Sequence, residues 1–398
     1  MAGTSAEAQR MRVAFVTPEY VTEQPRRGGL ASYLQRMATA LAQQGHTPEI
    51  FVTSRTRRGR DEADGVIVHF VTAATARRPV RAVLRVLGVL RAEGAARTLC
   101  ALVDAAALAA ALRRRSEEVR FDLVQSTNLK AVGLFVRPRG APHVIRCSND
   151  DREIARRNGV ALRTRGAVDL LVRWSLQRAD LLYAPSRFLA RHLERQGLRV
   201  RTLAPPALLE QKPAPAPPPG LPARYFVHFG QLTRLKGIPL LADAMRRACE
   251  REPDFAMVWA GSDSQGLVAA CLEQLGSHRA RLRYVGELAR PALYALVAGA
   301  EAAVFATSFD NLPNAAIESL LLGVPVIGCG DSSLEEIVVP GVNGALVTQG
   351  DAAALADALL AQWRGETGVR RGVGLQRQDM RPEAAVSGLL ELASLARG

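Results

Sequence analysis

Two doubly wound α/β domains joined by a proline-rich hinge are what this sequence predicts. Strand-like apolar runs alternate with helical stretches twice along the chain. A Pro- and Ala-rich segment, "LAPPALLEQKPAPAPPPGLP", separates the two alternations. Length points the same way, because 398 residues exceed the roughly 250–300 that one hydrophobic core fills.

The first alternation opens with "MRVAFVT" (11–17), an apolar run that reads as a buried strand. The helix "GGLASYLQRMATALAQQGH" (28–46) and a second strand, "TPEIFVTS" (47–54), follow. Further strands are expected at "VIVHFV" (66–71), "FDLVQST" (121–127), "HVIRCS" (143–148) and "LLYAPS" (181–186). The proline-rich segment can hold neither helix nor ladder hydrogen bonds and is expected to act as a semi-rigid linker. After it come "YFVHFG" (225–230), a helix from Ile238, "FAMVWAGS" (255–262) and "LRYVGE" (282–287). Helix "PALYALVAGA", strand "AAVFATS" (302–308), helix "NAAIESLLLG", strand "PVIGCG" and helix "SLEEIV" complete the alternation. The chain closes with helix "DAAALADALLAQW" (351–363) and an Arg-rich tail whose last helix spans about 383–396. The expected domains are 11–203, a linker at 204–222, a second domain at 223–375, and a terminal helix in 376–398 packing back toward the first domain. Rossmann-like sheets bind ligands outside the carboxyl ends of their strands, so the two domains are expected to face a central ligand cleft.

Net charge is +14, carried almost wholly by arginine, since only Lys130, Lys212 and Lys236 are lysines. Such a balance points to anionic company: nucleotide phosphates or an acidic membrane face. Nucleic acid ranks last, because no RNA- or DNA-binding motif or basic–aromatic interleaving is present. The five cysteines are odd in number and widely spaced, which fits reduced thiols. The histidines show no metal-ligand spacing, so no metal site is expected. "MAGTSAEAQR" has no apolar signal-peptide core, and no run approaches the ~20 uninterrupted apolar residues of a membrane span. A cytoplasmic protein is expected, or one peripheral on the inner membrane face.

The chemistry concentrates in "SFDNLPNAAIESLLLGVPVIGCG", where Glu318 is the one charged residue after Asp310. A carboxylate among Ala, Ile, Leu and Val is costly if buried without partners. Pro313 fixes the chain before a helix, and Asn314 is its expected N-cap. Glu318 then lies one turn inside and points at whatever sits above the helix N-terminus. It can accept two hydrogen bonds from a vicinal diol, as a ribose presents. Equally, it can be a first-turn acid favoured by the helix dipole, worth about 0.3–1 kcal/mol. Asp310 and Asn311 leave a strand end facing the same space, which favours the ligand reading. In "FGQLTRLKGIPLLADAM" (229–245), a strand ends at Gly230 and Lys236-Gly237 opens a helix. Backbone N–H groups and one ammonium in that arrangement suit a diphosphate.

With these residues in place, "DNLPNAAIESLLLGVPVIG" followed by "SSLEEIVVPGVNGALV" resembles the nucleotide-sugar signature of retaining glycosyltransferases of family 4, which have the GT-B fold. The resemblance covers most of the chain and is strongest over 225–348. It implies transfer of a hexosyl-type sugar from a UDP- or GDP-linked donor to an acceptor hydroxyl with retention and without a metal ion. Glycan, glycolipid and secondary-metabolite acceptors are all compatible with it, and no cofactor beyond the nucleotide-sugar co-substrate is implied. Asp310 with Asn311, Leu312, Pro313 and Asn314 would meet the sugar, and Glu318 the ribose. Gly230, Gln231 and Lys236 would meet the diphosphate, closed over by Gly28 and Gly29 at the start of the first helix. Two positions depart from the family: Asp310 replaces the usual Glu, and Gln231 stands where an Arg usually follows the glycine. Gln125 and Thr127 occupy the positions of an H-x-H pair near the transferred sugar. For Gln125 and Thr127 the alternative is polar residues in a strand-end turn with no catalytic part; on the resemblance, Thr127 or Asn128 could touch that sugar, and Arg146 and Ser148 would contact acceptor or phosphate. For Arg146 a structural salt bridge is an equal alternative. The departures at Gln231, Thr127 and Asp310 motivate a second reading, a weakened GT-B protein that binds nucleotide-sugar as a sensor or scaffold. A nicotinamide-dependent oxidoreductase is set aside, because neither half carries Gly-x-Gly-x-x-Gly between strand and helix.

"RRPVRAVLRVLGVLR" (77–91) is basic and amphipathic: wound as a helix it gathers Arg78, Arg81 and Arg85 on one side and Val83, Val86, Leu87 and Leu90 broadly opposite. Such a helix can lie on an anionic membrane. The simpler expectation is an apolar side packed on the sheet. "RQGLRVRTL" and "VRRGVGLQRQDMRP" read as solvated basic faces.

Overall fold

A computed structural model of the chain describes residues 10–23, 28–157 and 167–397. Residues 1–9, on which the reading of a chain start without a signal peptide rests, lie outside the described residues. The chain forms two compact units: Met1–Pro185 with Ala190–Pro206 and Asp379–Gly398, and Ser186–Leu189 with Ala207–Gln378. Up to Thr202 the elements are β1 (Arg12–Thr17), α1 (Gly29–Gln43), β2 (Thr47–Ser54), β3 (Gly59–Ala63), β4 (Val66–Thr72), α2 (Arg78–Val89), α3 (Glu93–Glu118), β5 (Leu123–Thr127), β6 (His143–Arg146), α4 (Asp151–Arg157), α5 (Val168–Gln177), β7 (Leu181–Ala184), α6 (Arg187–Glu194) and β8 (Arg201–Thr202). Then follow β9 (Phe226–Phe229), α7 (Ile238–Arg251), β10 (Met257–Ala260), α8 (Leu267–Leu275), β11 (Leu282–Tyr284), α9 (Arg290–Gly299), β12 (Ala302–Phe305), α10 (Asn314–Leu321), β13 (Val326–Cys329), β14 (Gly344–Val347), α11 (Ala352–Trp363) and α12 (Pro382–Leu395).

In the first unit the strand order is β3-β4-β2-β1-β5-β6-β7-β8, parallel except where β3 pairs antiparallel with β4. Val13 of β1 lies opposite Pro48 of β2 on one side and Leu123 of β5 on the other. Helices cover both faces, so residues 13–17 are all buried, as a central parallel strand requires. On one face Leu34, Met37 and Leu41 of α1 pack with Val386, Leu389 and Leu392 of α12, which makes the terminal helix part of this core. On the other face α3 sets Leu108 and Leu112 against Val16, Phe51 and Val124. Among the described residues α3 is the one helix long and apolar enough to cross a membrane, by length and mean hydropathy (1.6) alone. Its buried Asp104 accepts a hydrogen bond from the Ala74 backbone N–H at 2.6 Å.

The second sheet runs β11-β10-β9-β12-β13-β14, with parallel pairing throughout. Its core joins Phe226, Trp259, Leu241 and Met245 to Leu359 and Trp363 of α11, with the Phe226 and Trp363 rings edge to face at 5.4 Å. In both sheets the strand order reverses once, between β1 and β5 and between β9 and β12. Loops leaving the carboxyl ends of such a strand pair diverge and open a crevice, the usual ligand position in doubly wound sheets.

Three expectations are corrected. The segment 204–222 does lack helix and strand, but from Ala207 onward it belongs to the second unit rather than hanging free. The Glu210 side chain is buried there, and the Ala214 N–H donates to the Pro291 carbonyl at 2.8 Å. Helix α2 forms as expected, yet none of its residues is buried, so its apolar side does not pack on the sheet. In the tail, Arg377 donates to the Glu336 carbonyl at 3.0 Å and Arg371 to that of Ala298, so these two arginines fix the chain instead of merely solvating it.

Candidate active site

The reversal point of the second sheet holds the residues singled out in its sequence. Lys236 lies seven residues beyond β9 and Asp310 five beyond β12, and their side chains form an ion pair, each partly open to solvent. Two staples bring the loops together. Ser308 donates to the Leu235 carbonyl through both its backbone N–H (3.1 Å) and its hydroxyl (3.2 Å). Gly237 caps α7 at φ 74° with no room for a side chain, because a Cβ there would overlap the Ala306 carbonyl oxygen. A glycine is therefore required for Lys236 to sit against the end of β12. The Asp310 loop is rigid in its own right. Its backbone turns through Leu312, a buried residue at φ 48°, whose N–H donates to Ser333 Oγ at 2.8 Å. Ser333 Oγ in turn donates to the Asp310 carbonyl at 3.0 Å. Asp310 Oδ1 accepts from the Asn311 N–H at 2.8 Å, and Asn311 Oδ1 accepts from Ser186 Oγ, a residue of the same unit, at 2.7 Å. Gly230 and Gln231 leave β9 in the same loop as Lys236, with Gln231 exposed. Within β9, His228 bonds the Val304 carbonyl at 2.8 Å, and burial pulls its pKa down to about 4, so the ring is neutral at physiological pH.

Glu318 is not placed as expected. Pro313, not Asn314, occupies the capping position of α10, with no side-chain cap, and Asn314 is the first helical residue. Glu318 is 1% exposed, and both its oxygens accept from Arg290 Nη1, at 3.2 and 3.0 Å. Arg290 also approaches buried Glu210 at 3.7 Å. Burial works against the charge on Arg290, but the Glu318 and Glu210 carboxylates outweigh it and hold the guanidinium above its ordinary pKa. The physical reason for the difference is the cost anticipated above: a carboxylate among apolar neighbours takes a cation from its own chain. Arg290 opens α9, where the helix dipole disfavours a cation, so only strong acidic partners hold it there. That misfit of an arginine at a helix start, "ARPALYAL", is the sequence signal that could have found it.

The reversal point of the first sheet gathers the other candidates. Thr127 Oγ1 lies 3.2 Å from Ser148 Oγ, which also accepts from Arg146 Nη1 at 2.7 Å. Asn128 locks the same turn, donating to the Asn149 carbonyl at 2.8 Å and accepting from the Ser148 N–H at 2.9 Å. Arg146 stacks its guanidinium 3.9 Å above the Tyr33 ring, a cation–π contact in place of a salt bridge. Tyr33 and Tyr183 share a 2.9 Å hydroxyl contact, and Tyr183 donates to Gln125 at 2.7 Å. Burial, more than any other cause, raises the pKa of both phenols. This buried tyrosine pair went unnoticed in the sequence. Gly28 caps α1 without a side-chain bond, and the nearest atom a Cβ there would meet is the Glu19 carboxylate oxygen, at 2.9 Å. The missing side chain thus admits Glu19 beside the start of α1, where Gly29 is the first helical residue. Among the described residues no group of three His, Cys, Asp or Glu could hold a metal ion.

Comparison with known proteins places these loops in a family. Residues 27–207 match the family model described as Glycosyltransferase Family 4, and residues 223–364 match Glycosyl transferases group 1. The chain belongs to glycosyltransferase family 4. Its fold is GT-B. Over 98% of this chain and 100% of the other, this family 4 protein superposes on sucrose-phosphate synthase from Thermosynechococcus elongatus with a TM-score of 0.68 at 18% identity. Anabaena HepE in complex with UDP-glucose gives 0.61 at 16% identity, over 97% and 100% of the two chains. In sequence, a glycosyltransferase of Bacillus subtilis, YqgM, is 28% identical over 153 residues, 37% of this chain and 42% of that protein. D-inositol 3-phosphate glycosyltransferase of Corynebacterium urealyticum is 30% identical over 147 residues, 35% and 34% of the two. The matched stretches thus span less than half of either curated relative.

Proposed function

We propose that the protein transfers a sugar from a nucleotide diphosphate-sugar to an acceptor hydroxyl with retention at the anomeric carbon. One observation carries the reading: Lys236 and Asp310 meet at the reversal point of the second sheet, inside the family-matched region. An ammonium there suits a diphosphate, and a carboxylate beside it suits sugar hydroxyls. Before donor binds, the two neutralise each other. When a diphosphate arrives, Lys236 turns to the phosphate oxygens and Asp310 is released to the sugar. Negative charge grows on the departing diphosphate as the glycosidic bond breaks, so the ammonium stabilises the transition state more than the ground state. The acceptor hydroxyl attacks from the face the diphosphate leaves, passing its proton to a phosphate oxygen, so no protein base and no metal ion is required. Thr127, Arg146 and Ser148 then serve to position the acceptor. UDP-linked donors are the first to test, because HepE was crystallised with UDP and UDP-glucose.

Thermal-shift screening with UDP, GDP and their hexose conjugates tests this. A specific ligand at 100 times its dissociation constant adds about 2.7 kcal/mol. Lys236→Ala is expected to weaken that ligand roughly 10–100-fold, the worth of a charge-assisted phosphate contact. Asp310→Asn, by contrast, frees Lys236 and is expected to tighten the bare nucleoside diphosphate about two- to fivefold, the pair being partly exposed, while slowing sugar transfer. Absence of a shift with every nucleotide would overturn the donor reading. Tight binding without turnover on any acceptor would favour a sensor instead.

A further inference from the structure

Helix α2 leaves unanswered what its apolar side is for. Leu84 and Leu87 are half-buried toward the unit, whereas Val83, Val86, Val89 and Leu90 are 48%, 58%, 84% and 67% exposed. Val83, Val86 and Leu90 follow three-and-four spacing and form one stripe; Arg78, Arg81 and Arg85, all exposed, form a second one broadly opposite it, with exposed Val89 on the arc between them. From Gly65 to Ala92 the chain carries no acidic residue.

Helix α5, which also packs on α3, repeats the pattern. Leu170 and Trp174 are 58% and 51% exposed, with Arg173 and Arg178 exposed next to them. Both helices pack on the first half of α3. The turn before α2 is tied to Asp104 and the helix ends next to Glu93, while the Ala167 N–H at the start of α5 donates to Thr98 Oγ1 at 3.1 Å. Of the acids nearby, Glu93 lies 3.9 Å from Arg97, and Asp169 is only half exposed.

We propose that α2 and the outer face of α5 form a docking surface for an anionic lipid bilayer. Exposed valine, leucine and tryptophan on helices that also carry exposed arginines match the boundary between acyl chains and acidic headgroups in both polarity and charge, the long arginine stems reaching the headgroups. A second copy fits poorly, because two such faces repel each other. A nucleic acid would leave the valine and leucine stripe in water.

The chain carries its own reporter, since Trp174 is the one exposed tryptophan while Trp259 and Trp363 are buried. Full-length protein is mixed with phosphatidylcholine vesicles, with and without phosphatidylglycerol, and followed by co-sedimentation and tryptophan emission. The expected result is binding to the anionic vesicles about tenfold or more tighter than to neutral ones, with a blue shift that Trp174→Phe removes. Val86→Asp/Leu90→Asp and Arg81→Glu/Arg85→Glu alter only exposed side chains. Each is expected to abolish sedimentation while melting at the parent temperature. Equal binding to both vesicle types, no binding, or binding unaffected by both variants overturns the proposal. So do concentration-dependent self-association lost in Val86→Asp/Leu90→Asp, and binding to a soluble polyanion without the blue shift.

Discussion

Arg290→Leu is expected to destabilise the second unit by roughly 3 kcal/mol, because it leaves the buried Glu318 and Glu210 carboxylates without the guanidinium between them. The Arg290 side chain is 21% exposed, which keeps the effect toward the low end for a broken buried pair. Urea unfolding of the full chain measures it. The double variant Arg290→Leu/Glu318→Leu is expected to recover only the Glu318 part of that loss, since apolar residues of similar volume replace a buried pair at little net cost while Glu210 still lacks the guanidinium. Its value lies in the next step, because it tests the ribose role of Glu318 in a protein that is still stable. If Glu318 holds the ribose, with Arg290 positioning it, the double variant keeps its response to inorganic pyrophosphate and loses the extra response to a nucleoside diphosphate. An unchanged nucleotide response would make Glu318 a structural carboxylate only, and the role carried by the family signature would not apply to it.

What could be read in advance follows from the range of the forces involved. Buried parallel strands announce themselves, because helices on both faces make them continuously apolar: "AFV" in β1 and "VHF" in β9 leave no other reading. The wholly exposed β3 has no such pattern and was missed. Its one signal was the Asp64-Gly65 dipeptide, a hairpin turn with φ of 52° and 74°, the combination such turns require. Candidate site residues were legible as types at strand ends, since loop chemistry is local. Their partners were not. Nothing near Lys236 in the sequence says that Asp310 lies within reach, and nothing near Glu318 names Arg290, because both pairings are set by how distant loops converge. The same holds for α2, whose amphipathic pattern was plain. Which side faced the protein depended on α3, against which α2 packs, and the valine stripe was left outside.

Glu49→Gln is the second large effect expected, and it argues from the same physics inside the first sheet. Glu49 sits on β2 with a wholly buried side chain, yet it is charged. Arg115 donates to both its oxygens at 3.0 and 3.1 Å, His69 Nε2 lies 2.7 Å away, and Arg12 completes the cluster. Burial pushes the carboxyl pKa up, but the bonds from His69, Arg115 and Arg12 outweigh it and bring the pKa down from 4.5 to about 2. A depressed folded-state value means that the carboxylate contributes its stability in full above the unfolded value of 4.5. That contribution is lost as pH falls toward about 2. The difference corresponds to about 3 kcal/mol at neutral pH. Glu49→Gln is therefore expected to lower unfolding free energy by about that amount at pH 7, through two arginines left without their shared counter-charge. Below pH 4.5 the gap between variant and parent should narrow steadily, because the parent is itself being protonated. A gap that stays constant from pH 7 to pH 3 would show that the cluster acts through shape alone and that its charges cancel.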